Sequence, residues 1–202
     1  KEDSMLNKSI GKGVQDHTNL RVNAFTNKKT GSLNEIYYSS LKKTVLGAKH
    51  LLGQPTLMRG TGATSAVQLD LNRDGMIDTR IHIVQYIDTG RHDINEYFSE
   101  KSGFSLSITP IFPESRGEIT INNGALCVNP GYLSSSEDKK ILKSALDFCI
   151  KILKTPPLSN HVSEIENEGL ISDFPDDYVL NNYYSGAHLI GGLHDAVDSS
   201  FK

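Results

Sequence analysis

Apolar residues recur at helical spacing in a stretch that begins just after Ser32. The pattern predicts a helix over residues 33–52, because these positions share one face when the period is 3.6 residues. Ser32-Leu-Asn-Glu35 is a capping box, in which the hydroxyl accepts a backbone N–H of the first turn and the glutamate reaches back. Gly53 and Pro55 end the helix. The apolar positions are Ile36, Tyr37, Leu41, Val45, Ala48 and Leu52.

A second helical stripe follows another capping box, Ser134-Ser-Ser-Glu137, and stops at Pro156-Pro157. Asp173 before Phe174-Pro175 has the pattern of a cap with proline in the first turn. It predicts a short third helix that ends near Tyr184. The stripe of the second helix consists of Ile141, Leu142, Ala145, Leu146, Cys149, Ile150 and Leu153.

Four further segments alternate apolar and polar residues, which is typical of strands with one buried face. They are residues 19–26, 79–87, 104–108 and 118–122. No helical pattern separates the last two, which favours antiparallel pairing. Residues 59–65 are small and are interpreted as a loop. These patterns predict an α+β fold in which an antiparallel sheet and the helices each bury one face.

Composition narrows the class of protein. The chain has 202 residues, of which 37% are hydrophobic and 22% charged, with a net charge of -3. This charge excludes a broad basic surface, so no nucleic-acid partner is expected. No apolar run approaches the roughly 20 residues of a membrane helix, so no transmembrane segment is expected. The only cysteines, Cys127 and Cys149, cannot build a disulfide framework, and their scarcity fits cytoplasm and periplasm alike.

One segment resembles the start of a calcium-binding loop. In Asp70-Leu-Asn-Arg-Asp-Gly-Met-Ile-Asp78, oxygen ligands recur at every second position and Gly75 allows the turn. The twelfth position is Ile81, where a bidentate glutamate belongs in an EF-hand, and no helix pattern precedes the loop. An acidic hairpin turn is the alternative interpretation, since turns select the same residues. The candidate ligands are Asp70, Asn72, Asp74, Met76 through its carbonyl, and Asp78.

Histidines offer a second kind of chemistry. None of the pairs has zinc-type spacing with a third ligand nearby. His188 differs from the others because it lies in an apolar, glycine-rich tail, 185–193, that is expected to pack against other residues. An imidazole there can serve as a general base or acid, or it can be an ordinary surface or core histidine. The full set is His17, His50, His82, His92, His161, His188 and His194.

The sequence contains no loop that would hold the phosphates of a nucleotide. Gly11 and Gly13 are followed by Val14-Gln15-Asp16, so the third glycine of a dinucleotide fingerprint is missing. There is also no Walker loop and no Gly-x-Ser-x-Gly nucleophile turn. The chain is therefore not expected to build a dinucleotide site by itself.

Five segments, taken in order, resemble the glucose-methanol-choline (GMC) family of flavin oxidoreductases. The segments depart from the family pattern at Lys12, Gly13 and Val14, and at Gly192, where threonine is usual. The first is Gly11-Lys-Gly-Val-Gln-Asp-His17, and the second is Ser32-Leu-Asn34 with the helix to Leu52 and the small-residue loop after it. The third is Ile108-Thr-Pro110 followed by Glu114-Ser-Arg-Gly-Glu-Ile-Thr120. The last two are Asn129-Pro-Gly-Tyr-Leu-Ser134 with Asp138, and Tyr184-Ser-Gly-Ala-His-Leu-Ile-Gly-Gly192.

The resemblance implies a fold, a cofactor and a set of site residues. The fold is the family's substrate-binding domain, an antiparallel sheet of about six strands with helices on one face. His188 matches the family's catalytic histidine beside the flavin. Gln15, Asp16 and His17 lie in a segment that matches the family's pattern at the edge of the flavin domain, and they are the expected cofactor-binding residues of this chain. Residues 1–18 would belong to the edge of the flavin domain, 19–184 to the substrate-binding domain, and 185–202 to a return toward the flavin.

The function that follows is oxidation of an alcohol or sugar CH–OH group by hydride transfer to FAD. The missing FAD-binding domain would be the chain's partner, and FAD is not expected to bind to this part alone. The start at Lys1 rather than methionine is interpreted as the mark of a processed product or an excised piece. The alternative function is a stand-alone binding module without redox activity, stabilised by calcium.

Overall fold

The computed structural model describes residues 10–27, 32–60, 62–87 and 99–193. His92, His194 and the outer parts of the two terminal segments lie outside these residues. The strands are β1 (Lys12–Val14), β2 (Thr18–Thr26), β3 (Ala63–Leu69), β4 (Thr79–Val84), β5 (Gly103–Pro110), β6 (Gly117–Asn122), β7 (Ala125–Asn129), β8 (Val162–Ile165) and β9 (Tyr184–Ser185). The helices are α1 (Leu33–Tyr37), α2 (Ser40–Leu51), α3 (Ser136–Leu153), α4 (Glu168–Asp173) and α5 (Pro175–Asn182).

The main sheet has six antiparallel strands, which confirms the α+β fold class. Five strands lie in the order β3-β4-β5-β2-β8, and β9 pairs with the beginning of β2. A separate sheet joins β1, β6 and β7. Helices α3 and α5 pack against β2. The described part of the chain contains no helix that is both long and apolar enough to cross a membrane.

The core lies between one face of the main sheet and α3. Every second residue of β2 and β5 points to it, as the alternation predicted, and the apolar stripe of α3 covers it. Burial of each leucine or isoleucine side chain in this core stabilises the folded state by about 1.5–3 kcal/mol. The members with no exposed surface are Leu20, Val22, Ala24, Ile108, Leu142, Ala145, Leu146, Cys149 and Ile171.

The opposite face of the same strands is polar. Arg21 of β2 pairs with Ser107 of β5, which in turn pairs with His82 of β4, so the three residues form one row across the sheet. Burial, aided by the positive charge of Arg80, lowers the pKa of His82. The main sheet therefore separates an apolar core from a polar surface.

The predicted helix over 33–52 is two helices. Ser32 caps α1 as expected, accepting the N–H of Glu35. Ser39 then caps a new helix, α2, by accepting the N–H of Lys42. The capping box predicted that the carboxylate of Glu35 reaches back to the start of the helix. Instead, this carboxylate accepts hydrogen bonds from the ammonium group of Lys42 and the hydroxyl of Ser102.

Two predicted caps lie elsewhere. Ser135, not Ser134, caps α3, because its hydroxyl accepts the N–H of Glu137. Asp173 does not cap α5: it is the last residue of α4, and Phe174 occupies the cap position. Helix α5 also ends before Tyr184, because that residue joins the sheet in β9.

Several strands were not predicted from the sequence. Residues 59–65, interpreted as a loop, include the start of β3, and β7 and β8 gave no clear alternation. All five residues of β7 are exposed, and β3 is an edge strand that is exposed over most of its length. Without a buried face, a strand lacks the alternation that identifies it. The segment 79–87 is a strand only as far as Val84.

Candidate functional site

The opening segment and the glycine-rich tail lie side by side. Gln15 and Ile190 exchange two backbone hydrogen bonds, each of 2.9 Å. Gly186 donates its N–H to the carbonyl of His17 at 2.7 Å. The backbone of the tail thus pairs with the segment that precedes β2. Its apolar side chains are not packed as expected, because Leu189, Ile190 and Leu193 are exposed.

Glycine is required where the two segments approach most closely. Gly191 has a φ of +93°, and a Cβ on it would lie 2.6 Å from the carbonyl oxygen of Gly13. A Cβ on Gly186 would lie 2.8 Å from the Cβ of His17. Side chains at these positions would push the tail away, so the glycines set the distance between the two segments.

Asp16 is the centre of the hydrogen bonds between the segments. Asp16 is only 6% exposed. One oxygen accepts the backbone N–H of His188 at 2.9 Å, and the other accepts the hydroxyls of Ser185, at 2.6 Å, and Tyr132. Asp16 therefore fixes the backbone that carries His188.

The protonation state of this cluster follows from its contacts. Burial alone would raise the pKa of Asp16, but hydrogen bonds from four donors outweigh it and lower the pKa below its ordinary value. The donors are Ser185, Tyr132 and the backbone N–H groups of His188 and His17. Burial and the bond to Asp16 raise the pKa of Tyr132 to about 12. At neutral pH the cluster holds one carboxylate and one neutral phenol.

Two imidazoles flank the cluster. The rings of His17 and His188 are 5.7 Å apart and nearly perpendicular. The Nε2 of His17 lies 3.3 Å from the carbonyl oxygen of Ile111, and its Nδ1 is buried without a hydrogen-bond partner. His188 is exposed. The structure thus brings together His188, Asp16 and His17, which the sequence singled out from segments 172 residues apart.

Other polar residues adjoin this cluster on the sheet. The hydroxyl of Tyr184 lies 2.9 Å from that of Ser107. The guanidinium of Arg21 lies 5.4 Å from the ring of Tyr86 and 5.8 Å from that of Tyr184. These residues were not predicted from the sequence, because the burial of Arg21 becomes apparent only in the folded chain.

The remaining sequence candidates lie elsewhere. The possible calcium ligands occupy the loop between β3 and β4. The Nδ1 of His50 lies 3.3 Å from the hydroxyl of Thr56, just after α2, and His161 is exposed before β8. A depression of about 430 Å³ lies at the other end of β2 from Asp16, with Phe25, Glu35, Lys101 and Glu164 among its lining residues.

Sequence comparison found no relatives. No protein-family model matches the chain, and no curated protein matches it.

Comparison with solved structures did find similar folds. Pyridoxine 4-oxidase from Mesorbium loti matches 94% of this chain with a TM-score of 0.66 and 18% identity. A variant of formate oxidase from Aspergillus oryzae RIB40 matches 94% with a TM-score of 0.76 and 13% identity. An FAD-dependent oxidoreductase from Chaetomium thermophilum matches 92% with a TM-score of 0.69 and 10% identity.

This chain covers 35%, 38% and 39% of those three chains, respectively. At these identities the similarity establishes the fold alone. The fold class expected from the resemblance is confirmed: this chain has the α+β fold, an antiparallel sheet with helices on one face, that forms part of these larger oxidase and oxidoreductase chains.

Proposed function

We propose that this chain is the substrate-binding part of an FAD-dependent oxidoreductase that oxidises a CH–OH group of an alcohol or sugar. The observation that carries the proposal is the cluster in which Asp16 holds the backbone of His188 beside His17. These residues belong to the segments that resemble GMC enzymes. The folds of the FAD-dependent oxidoreductase and the formate oxidase support the same assignment.

The residues present fit a neighbouring flavin. The Nδ1 of His17 is a buried polar atom without a partner, and such an atom calls for a hydrogen-bonding group next to it. Gln15 and His17 would border the cofactor. The side chain of Asp16 is already engaged by the chain's own donors, so Asp16 would border it through its backbone. When bound, FAD supplies the acceptor for the hydride.

In this mechanism His188 takes the proton of the substrate hydroxyl. As the C–H bond gives up its hydride, the O–H bond gives up its proton to an imidazole nitrogen, and a carbonyl compound remains. Asp16 contributes by positioning, because it fixes the backbone N–H of His188.

The polar face of the main sheet is assigned to the substrate. It carries Arg21, Ser107 and Tyr184 next to the cluster, and hydroxylated substrates need such hydrogen-bonding groups. Residues 1–18 and 185–202 are assigned to the border with the flavin domain, and 19–184 to the substrate-binding domain.

The test is anaerobic reduction of the flavin in the protein encoded by the complete reading frame. We expect at least one member of a panel of primary alcohols, secondary alcohols and aldoses to bleach the flavin, as dithionite does. A protein whose flavin is bleached by dithionite but by no member of the panel would contradict the proposed substrate class.

A further inference from the structure

The acidic segment 70–78 is the loop of a β-hairpin. Its flanking strands close with the pair Leu69 and Thr79, and the N–H of Asp78 donates to the carbonyl of Leu69 at 3.0 Å. The proposed oxidoreductase function makes no use of this loop. An inference about it therefore stands independently of that function.

The polar side chains of the loop turn back onto its own backbone. The carboxylate of Asp70 accepts the N–H of Asp74 at 3.2 Å and that of Gly75 at 2.9 Å. The carboxylate of Asp74 accepts the N–H of Met76 at 2.8 Å. The amide oxygen of Asn72 accepts the N–H of Asp74 at 3.1 Å. Because a carboxylate or amide oxygen has two lone pairs, each can still bind a cation.

Asp78 supplies an independent indication of a ligand. It is only 7% exposed, and its Oδ2 accepts the N–H groups of Leu71, at 3.0 Å, and Asn72, at 2.9 Å. These two bonds direct the carboxylate into the loop. The other oxygen of Asp78, Oδ1, is buried without a hydrogen-bond partner. A buried carboxylate oxygen without a partner is unfavourable unless a cation or a donor completes it.

We propose that this hairpin loop binds one calcium ion. Five oxygen ligands, with water completing the shell, suit calcium, whose coordination is larger and more flexible than that of magnesium. None of the five ligands is an imidazole or a thiolate, so the site does not suit zinc. The ligands are the side chains of Asp70, Asn72, Asp74 and Asp78 and the carbonyl of Met76.

The loop closes differently from an EF-hand. Ile81, at the twelfth position, is buried in the core on β4, so Asp78 is the last ligand and the strand replaces the second helix. Within the described residues, no three His, Cys, Asp or Glu side chains already surround one point. Binding therefore includes small rotations of the loop carboxylates, and the expected Kd is weak, about 10⁻⁴ to 10⁻³ M.

Calcium binding would also stabilise the position of Ile111, which contacts His17 of the candidate site. The carbonyl of Asp78 accepts the N–H of Ile111 at 2.8 Å, and the carbonyl of Ile111 lies 3.3 Å from Nε2 of His17. Ile111 therefore contacts both the loop and the imidazole of His17.

The test is calorimetric titration of the chelator-treated protein with calcium chloride, together with thermal unfolding. We expect binding of one calcium per chain and a higher Tm in calcium than in equimolar magnesium. Absence of both heat and a Tm shift at about 10 mM calcium, roughly ten times the weakest expected Kd, would overturn the proposal.

A matched pair of variants tests whether calcium binds to this loop or to acidic surface residues in general. Asp74→Asn removes one ligand charge at an exposed position, and it is expected to weaken calcium binding at least about tenfold. Asp147→Asn makes the same change at an exposed position of α3 and is expected to bind like the unaltered chain. Equal calcium affinity in the two variants, both folded by circular dichroism, would overturn the assignment of the site to this loop.

Discussion

Replacing His188 by alanine in the flavin-loaded protein is expected to slow substrate oxidation by about 10²- to 10⁴-fold. That range is the contribution of a positioned general base, and the variant has no group to take the hydroxyl proton. His188 is exposed and holds its place through its backbone N–H. The substitution is therefore expected to leave the fold and the flavin spectrum unchanged.

The measurement is the rate of flavin bleaching in anaerobic stopped flow, with His161→Ala as the control. His161 is also exposed, and it lies beyond the other end of β2, where its carbonyl accepts the N–H of Asn27. The control should bleach at the unaltered rate. A His188→Ala protein that bleaches as fast as the control would remove this residue from the mechanism.

Replacing Asp16 by alanine is expected to destabilise the fold by about 2–4 kcal/mol and to reduce oxidation as well. The change removes a buried acceptor and leaves its donors without a partner, among them Tyr132, Ser185 and the backbone N–H of His188. The tail that carries His188 then loses its main attachment. Asp16→Asn keeps one oxygen for the N–H of His188, and it is expected to restore most of the oxidation rate.

The contribution of Asp16 to the stability of the folded protein depends on pH. Its pKa is lowered in the folded state, so the folded protein binds this proton less readily than the unfolded chain. The stabilisation is complete above the unfolded aspartate pKa of about 3.9, and it is lost as pH falls through the lower folded value. The Asp16→Asn variant has no carboxyl group at this position, so it cannot lose this stabilisation in acid.

The measurement is the Tm of the unaltered protein, Asp16→Asn and Asp147→Asn between neutral and acidic pH. We expect the deficit of Asp16→Asn to be largest at neutral pH and to shrink below about pH 4. Asp147→Asn, on the exposed side of α3, should follow the unaltered protein throughout. A deficit of Asp16→Asn that stays constant into acid would contradict the ionised state assigned to Asp16.

The sequence predicts the elements that carry a regular apolar pattern. Most of them bury that face as expected, but α2 does not, because none of its residues is buried. Strands β2 and β5 and helix α3 carry regular apolar patterns because the core selects every second or every third to fourth residue. Strands β3 and β7 lack such a face, and their place depends on pairing with β4 and β6.

The candidate site was predicted in part. The resemblance singled out Asp16, His17 and His188 from two distant segments, but not the contacts that join them. Tyr132 and Ser185 were not singled out as site residues, because a phenol or a hydroxyl carries no signal until folding brings it to Asp16. The backbone pairing of the tail depends on close approaches at glycines, which periodicity does not describe.

The visible absorbance spectrum of the protein encoded by the complete reading frame is the most direct test of the proposed function. We expect a flavin band, with FAD recovered in the supernatant after the protein is denatured. We also expect a Gly-x-Gly-x-x-Gly segment after a strand outside the 202 residues. A folded, purified protein without flavin absorbance, even after incubation with FAD, would contradict the oxidoreductase function and favour a binding module without redox activity.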